Sequence, residues 1–166
     1  MSTWLQRTGL TGNSFIVSAR TAVATLISLF LARMLKMPEF YWAPISAIVI
    51  LLSTINPLSL AWQRFVGTAL GAYLGAVVAA FSHHWIVYGI GIFVCGILSF
   101  ILRLGSAYRF AAIAFSIVLL VPHDRSPWVV ATHRFIEVSL GIGVALLVTL
   151  VWPISNPAAS VSTNDR

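Results

Sequence analysis

The sequence predicts an all-α polytopic membrane protein, a six-helix transmembrane bundle built as an inverted repeat of two three-helix halves. Three observations predict it. The composition is too apolar for a water-facing surface, six apolar stretches alternate with short polar breaks, and arginines and glycines coincide when the chain is laid against itself. Hydrophobic residues make up 59% of the chain and charged residues 8%, with a mean hydropathy of +0.95. A soluble domain carries about a quarter of its residues charged, so lipid is the expected solvent. Ten basic residues against four acidic ones give a net charge of +6. They are dispersed singly, not gathered in a patch with aromatic stacking partners, so no nucleic acid is expected as a partner. Cys95 is the one cysteine and lies in an apolar run, which excludes a disulfide framework or a thiolate metal cluster within one chain.

The first apolar stretch, 14–32, carries Arg20 and leads into further spans. It therefore reads as a retained helix and not a cleaved leader. The others run over 41–55, 65–81, 85–102, 110–121 and 135–152, and Pro153 ends the last. Four of the six approach the roughly 20 residues that a crossing helix needs. Residues 1–154 form one integral membrane transporter-like domain on this reading, with halves at about 14–81 and 85–152. The polar stretch 155–166 is expected to be a short disordered tail.

The repeat emerges at a shift of 67 to 71 residues. Arg33 then falls on Arg103 with Phe30 on Phe100, and Arg64-Phe65 falls on Arg134-Phe135 with Gly71 on Gly141. In shorter matches Ala43, Ile45, Leu51 and Leu52 meet Ala111, Ile113, Leu119 and Leu120. An odd number of spans per half inverts the second half, an architecture of secondary transporters whose site lies near the midplane where the halves meet. The basic residues Arg7, Arg64, Arg103, Arg109 and Arg166 fall on the side of the N-terminus, against Arg33, Lys36, Arg125 and Arg134 opposite. That bias predicts a cytoplasmic N-terminus.

The second and fifth stretches are shorter than a crossing and hold corresponding places in the halves. About 13 helical residues cover only ~20 Å. The second begins Tyr41-Trp42-Ala43-Pro44 and runs into Asn56-Pro57; the fifth follows Tyr108-Arg109 and ends at Pro122. Paired short or proline-interrupted spans point to a binding site, because a helix that starts inside the protein aims unpaired N–H groups and its positive dipole end at a ligand. Such a site favours an anion. The plainer reading makes Pro44 a first-turn proline and Tyr41, Trp42 and Tyr108 part of interfacial aromatic belts.

Arg20, Arg64, Arg109 and Arg134 stand at or just inside the ends of apolar stretches. Charge at the bilayer centre costs about 2.5 to 3.5 kcal/mol on insertion scales, which anchoring near a helix end avoids. Arg20 has no counterpart and reads as structural, whereas Arg64 and Arg134 recur and are expected to point into the bundle. Small residues recur every fourth position at Gly67, Gly71, Gly75 and Ala79, and at Gly141 and Ala145. This pattern lets membrane helices approach closely and predicts that the third and sixth stretches make the contact between halves or between subunits. Glu137, one turn after Arg134, reads as that arginine's ion-pair partner, or alternatively as a proton-coupling group. His83, His84, His123 and Asp124 read as solvated loop residues. No metal or nucleophile constellation is present, and no cofactor is called for.

Several segments resemble the transmembrane unit of fusaric acid resistance-like proteins, a group similar to aromatic acid exporters and to plant anion channels of the aluminium-activated malate type. They are Arg20-Thr-Ala-Val-Ala-Thr, Tyr41-Trp42-Ala43-Pro44, Gln63-Arg64-Phe-Val-Gly67-Thr68-Ala-Leu-Gly71, Tyr108-Arg109, Arg134 ahead of Gly141, and Trp152-Pro153. The resemblance implies a six-helix bundle in the bacterial inner membrane that exports aromatic or other organic acids, driven by the proton gradient. It implies roles for Tyr41, Trp42, Pro44, Arg64, Gly67, Gly71, Arg109 and Arg134. Many such proteins carry two six-helix units and a cytosolic domain, so a homodimer or larger oligomer is expected to supply the second unit. Crosslinking in native membranes that finds only monomer counts against it. The other functional classes are an anion channel and a non-transporting membrane subunit of a larger efflux assembly; an enzyme is not expected.

Overall fold

The computed structural model describes residues 12–53, 55–82, 84–104, 107–122 and 125–153, with side chains from residue 15 onward. Arg7, His83, His123, Asp124, Arg166 and the polar tail lie outside the described residues. Among the described residues six helices follow in order: α1 (Gly12–Met34), α2 (Trp42–Leu51), α3 (Pro57–Phe81), α4 (Trp85–Ile101), α5 (Tyr108–Leu120) and α6 (Pro127–Val151). No strand occurs among the described residues.

Three helices are long and apolar enough to cross a membrane, over Phe15–Met34, Pro57–Phe81 and Pro127–Val151. The fourth stretch, expected near crossing length, forms a 17-residue helix, and α2 and α5 are shorter still at 10 and 13 residues. Large apolar side chains cover the outside, with Phe81 87% and Val151 83% exposed. Hydroxyls inside the helices fold back on their own backbone: Thr25, Ser28, Ser46, Ser99, Ser116 and Ser139 each donate to the carbonyl four residues earlier. A hydroxyl without water satisfies itself in this way.

Both long helices α3 and α6 start earlier than hydropathy marks them. Asn56 and Pro57 open α3 instead of closing α2: the Asn56 side chain accepts the Leu58 N–H at 2.9 Å, and Pro57 takes the first helical position, where a missing N–H costs nothing. Ser126-Pro127 opens α6 in the same manner, without the side-chain cap bond. Arg64 and Arg134 therefore stand at the eighth position of 25-residue helices, not at their ends.

The helix contacts repeat under exchange of halves. Helix α3 packs on α5 as α6 packs on α2, α1 on α2 as α4 on α5, and α1 touches α6 as α4 touches α3. Buried positions agree as well: Leu60, Ala61, Arg64, Gly67, Thr68 and Gly71 in α3 against Val130, Ala131, Arg134, Glu137, Val138 and Gly141 in α6. Helices α3 and α6 run antiparallel, since Tyr73 meets Trp128 with ring centroids 5.8 Å apart while Ala61 packs with Val138, Ile142 and Ala145. Between these points the equivalent residues Phe65 and Phe135 touch each other at 4.9 Å. A residue that contacts its own counterpart marks the axis relating the halves.

One alignment changes. The backbone equivalent of Arg103 is Lys36, not Arg33. Both adopt positive φ, 50° at Lys36 and 53° at Arg103. Each sits in the same helix stop: Lys36 and Met37 N–H donate to the carbonyls of Arg33 and Ala32, and Arg103 and Leu104 N–H to those of Phe100 and Ser99. That is a Schellman termination, in which two N–H groups satisfy carbonyls the helix end leaves over. The two identical arginines suggest the wrong register, because the shared turn lies three residues beyond Arg33.

Candidate functional site

The small-residue stripe decides which helices come close. A Cβ on Gly71 would run into the Ala111 carbonyl of α5, and one on Gly141 into the Ala43 carbonyl of α2. Gly67 faces Ala107 and Phe110, and Gly75 faces Phe115 and Val118. Helices α3 and α6 do meet each other, but their glycines lie against the short helix of the opposite half. Ala145 is fully buried with Ala47 and Ile50 of α2.

This close approach brings the start of each short helix under a buried arginine. The Arg134 guanidinium lies 4.2 Å from the centroid of Trp42, the first residue of α2. The Arg64 guanidinium lies 5.0 Å from the centroid of Phe110 at the start of α5. Phe110 is the positional equivalent of Trp42, so both halves build a cation over an aromatic face. Stacking of this kind contributes about 2 kcal/mol or more when desolvated. Arg134 is 2% exposed and Arg64 7%. Arg64 and Arg134 directly precede Phe65 and Phe135, which places both beside the axis.

Around Arg134 lies a polar cluster whose central member, Glu39, carries no signal in the sequence pattern. Glu39 belongs to the connection between α1 and α2, and its Oε2 forms the ion pair with Arg134 Nη2. Trp42 Nε1 donates to the same oxygen at 3.1 Å, and Tyr41 OH does so at 3.3 Å. The Glu39 backbone N–H donates to Glu137 Oε1 at 3.0 Å. The ion pair expected between Arg134 and Glu137 is thus taken by Glu39, which reaches the guanidinium from a connection instead of from the same helix face. Arg134 Nε and Nη1 and Glu137 Oε2 are buried without a hydrogen-bond partner.

The second half holds a different environment. Arg64 Nη2 donates to Ser46 Oγ at 3.1 Å, and its Nε is buried without a partner. Three residues before Phe110, where an equivalent of Glu39 would stand, Ala107 is buried against Gly67, which itself replaces Glu137. One half has a carboxylate cluster and the other is packed shut. Both arginines reach α2 within one turn, at Trp42 and at Ser46.

The other expected residues are dispersed. Pro44 is buried in the first turn of α2. Tyr108 is 42% exposed and stacks on Phe100, while Arg109 is exposed, 5.9 Å from the Phe110 centroid. Arg20 donates to Thr149 at 2.6 Å and ties α1 to α6. A cavity of about 420 Å³ lies elsewhere, between Ala79, the end of α5, Arg125 and Val130. Among the described residues no group of His, Cys, Asp and Glu is placed to hold a metal ion.

A protein-family model described as fusaric acid resistance protein-like matches residues 23–148. No curated protein and no solved structure matches the chain.

Proposed function

This chain belongs to the fusaric acid resistance protein-like family, and from that premise we propose that it exports organic anions such as aromatic acids across the inner membrane, coupled to protons. The observation that carries the reading is the pair of buried arginines beside the axis, each laid over an aromatic ring at the start of a short helix. Guanidinium groups bind carboxylates by charge and by paired N–H donors, and the aromatic rings offer a face for an aryl group. Neither α2 nor α5 has a side-chain cap bond at its start, but in α2 the Trp42 N–H is taken by the Glu39 carbonyl and Pro44 has no N–H, so the side chains and not the helix end carry the anion reading there.

The antiparallel pairing of α3 with α6 and the exchange of contacts between halves support an inverted repeat of two three-helix units; we take residues 1–154 as one membrane domain, and the bias of basic residues favours an N-terminus on the cytoplasmic side. In such repeats the substrate site lies at the interface of the halves. Tyr41, Trp42 and Arg134 line the site on this reading, with Arg64 at its second end and Pro44 fixing the turn of α2. Tyr108 and Arg109 stand at the corresponding mouth of the second half. Glu137 is the proton-coupling group.

Cells expressing the protein are expected to accumulate less benzoate than cells without it. Arg134→Gln should reduce that efflux at least about tenfold, the equivalent of ~1.4 kcal/mol, at unchanged protein level. Equal accumulation with and without the protein counts against transport.

A further inference from the structure

We infer that Glu39 is a resident stand-in for the substrate: its carboxylate occupies the carboxylate-binding position formed by Arg134, Trp42 and Tyr41, and an incoming aromatic carboxylate takes that position in exchange. The inference rests on the organic-anion reading of the site and names the group that holds it closed.

Three donors from two elements, the Arg134 guanidinium on α6 and the Tyr41 hydroxyl and Trp42 indole at the start of α2, converge on one oxygen, Glu39 Oε2. Such convergence on a single carboxylate oxygen is how a protein builds an anion site. Glu39 does not exhaust it, because Arg134 Nε and Nη1 are buried with no hydrogen-bond partner. A guanidinium presents a planar fork that matches both oxygens of a carboxylate, and the ion pair with Glu39 runs through Nη2 alone. A ligand carboxylate lying in the guanidinium plane gains a second donor that Glu39 does not use. The Trp42 ring against the guanidinium supplies an aromatic wall beside that position.

The Glu39 backbone is held separately from its carboxylate. The residue sits on the connection 35–41 rather than on a helix, and its backbone N–H is held by Glu137 Oε1 independently of its carboxylate. The side chain therefore leaves Arg134 without breaking that backbone bond. The second half shows that packing of these helices does not require the carboxylate, since Ala107 stands at the matching place and α5 packs on α3 as α2 packs on α6. Because a site occupied by its own carboxylate binds ligand with an affinity reduced by the unoccupied fraction, removing the resident group tightens binding.

The test is benzoate binding to the purified full chain in detergent by isothermal titration, with benzyl alcohol as the uncharged control. Glu39→Gln is expected to bind benzoate at least about tenfold more tightly than the parent, with benzyl alcohol unchanged and with binding lost again when Arg134→Gln is added. Glu39→Asp, which keeps the charge but draws the oxygen back by one methylene, is expected to tighten it in the same direction. Unchanged or weaker benzoate binding in these variants overturns the inference. So does loss of monodisperse protein in both, which makes Glu39 a structural ion-pair partner. Benzoate efflux by cells expressing the parent separates the two readings. Efflux without tightening removes the stand-in and leaves transport, whereas tightening without efflux leaves the carboxylate site and removes transport.

Discussion

Glu137 and Arg134 are the most deeply buried charged side chains among the described residues, at 1% and 2% exposure, and each keeps polar atoms without a partner. An unsatisfied buried polar group costs roughly 1–3 kcal/mol, and a charged one more, so such atoms persist where something else is gained. Glu137 follows Arg134 by one turn of α6 and accepts the backbone N–H of Glu39, whose carboxylate in turn meets Arg134 and Tyr41. A proton arriving on it alters the charge balance of the site directly. Efflux driven by an imposed pH gradient is expected to lose its pH dependence in Glu137→Gln, while facilitated exchange at equal pH persists; a normal pH profile removes the coupling role. Arg64 and Arg134 are legible in the sequence as a recurring pair, because a charged residue inside an apolar stretch is rare enough to align. Glu39 is not legible there. It lies in a polar break, has no counterpart in the other half, and is 95 residues from its partner, so neither spacing nor periodicity links the two.

At the scale of elements, the glycines set how near the helices come. The atom a Cβ would strike at Gly71 and at Gly141 belongs to backbone, which does not swing aside. Gly71→Ala and Gly141→Ala are each expected to lower stability by about 1–3 kcal/mol, the usual cost of overpacking, read as a drop in thermal unfolding temperature in detergent. Gly89→Ala and Gly96→Ala, where nothing lies within 4 Å, serve as controls and should leave it unchanged or raise it. Equal effects at all four sites would sink the packing account. The every-fourth spacing announces a close contact but not its partner. The starts of α3 and α6 escape hydropathy because Arg64, Gln63 and Ser59, like His133 and Arg134, dilute the apolar average. The Asn-Pro and Ser-Pro pairs at the caps carry the true boundaries, and they are chemistry of the unpaired N–H, not of hydropathy.

For the whole molecule, the apolar composition foretells a lipid-facing exterior, and the six apolar stretches foretell six helices. The register of the repeat is harder to read, since two of its matches rest on residue identity while the fold aligns shared turns. Ile55 and Arg125 are exposed and occupy equivalent places before α3 and α6. On a Cys95→Ser background, Ile55→Cys and Arg125→Cys should react with an impermeant thiol reagent from opposite faces of the membrane. Labelling of both from one face removes the inverted arrangement.

The exchange of helix contacts between halves bears on how the chain becomes a structure at all. Each buried cluster draws on both repeats: Ala47 and Ile50 with Val138 and Ile142, Ala72 and Ala76 with Ala114 and Val130, Ala79 with Cys95 and Phe115. A cut between Phe81 and Trp85 would divide the sequence at its natural seam and yet bisect all three of these clusters. Neither half holds a described core of its own, so each is expected to need the other to pack.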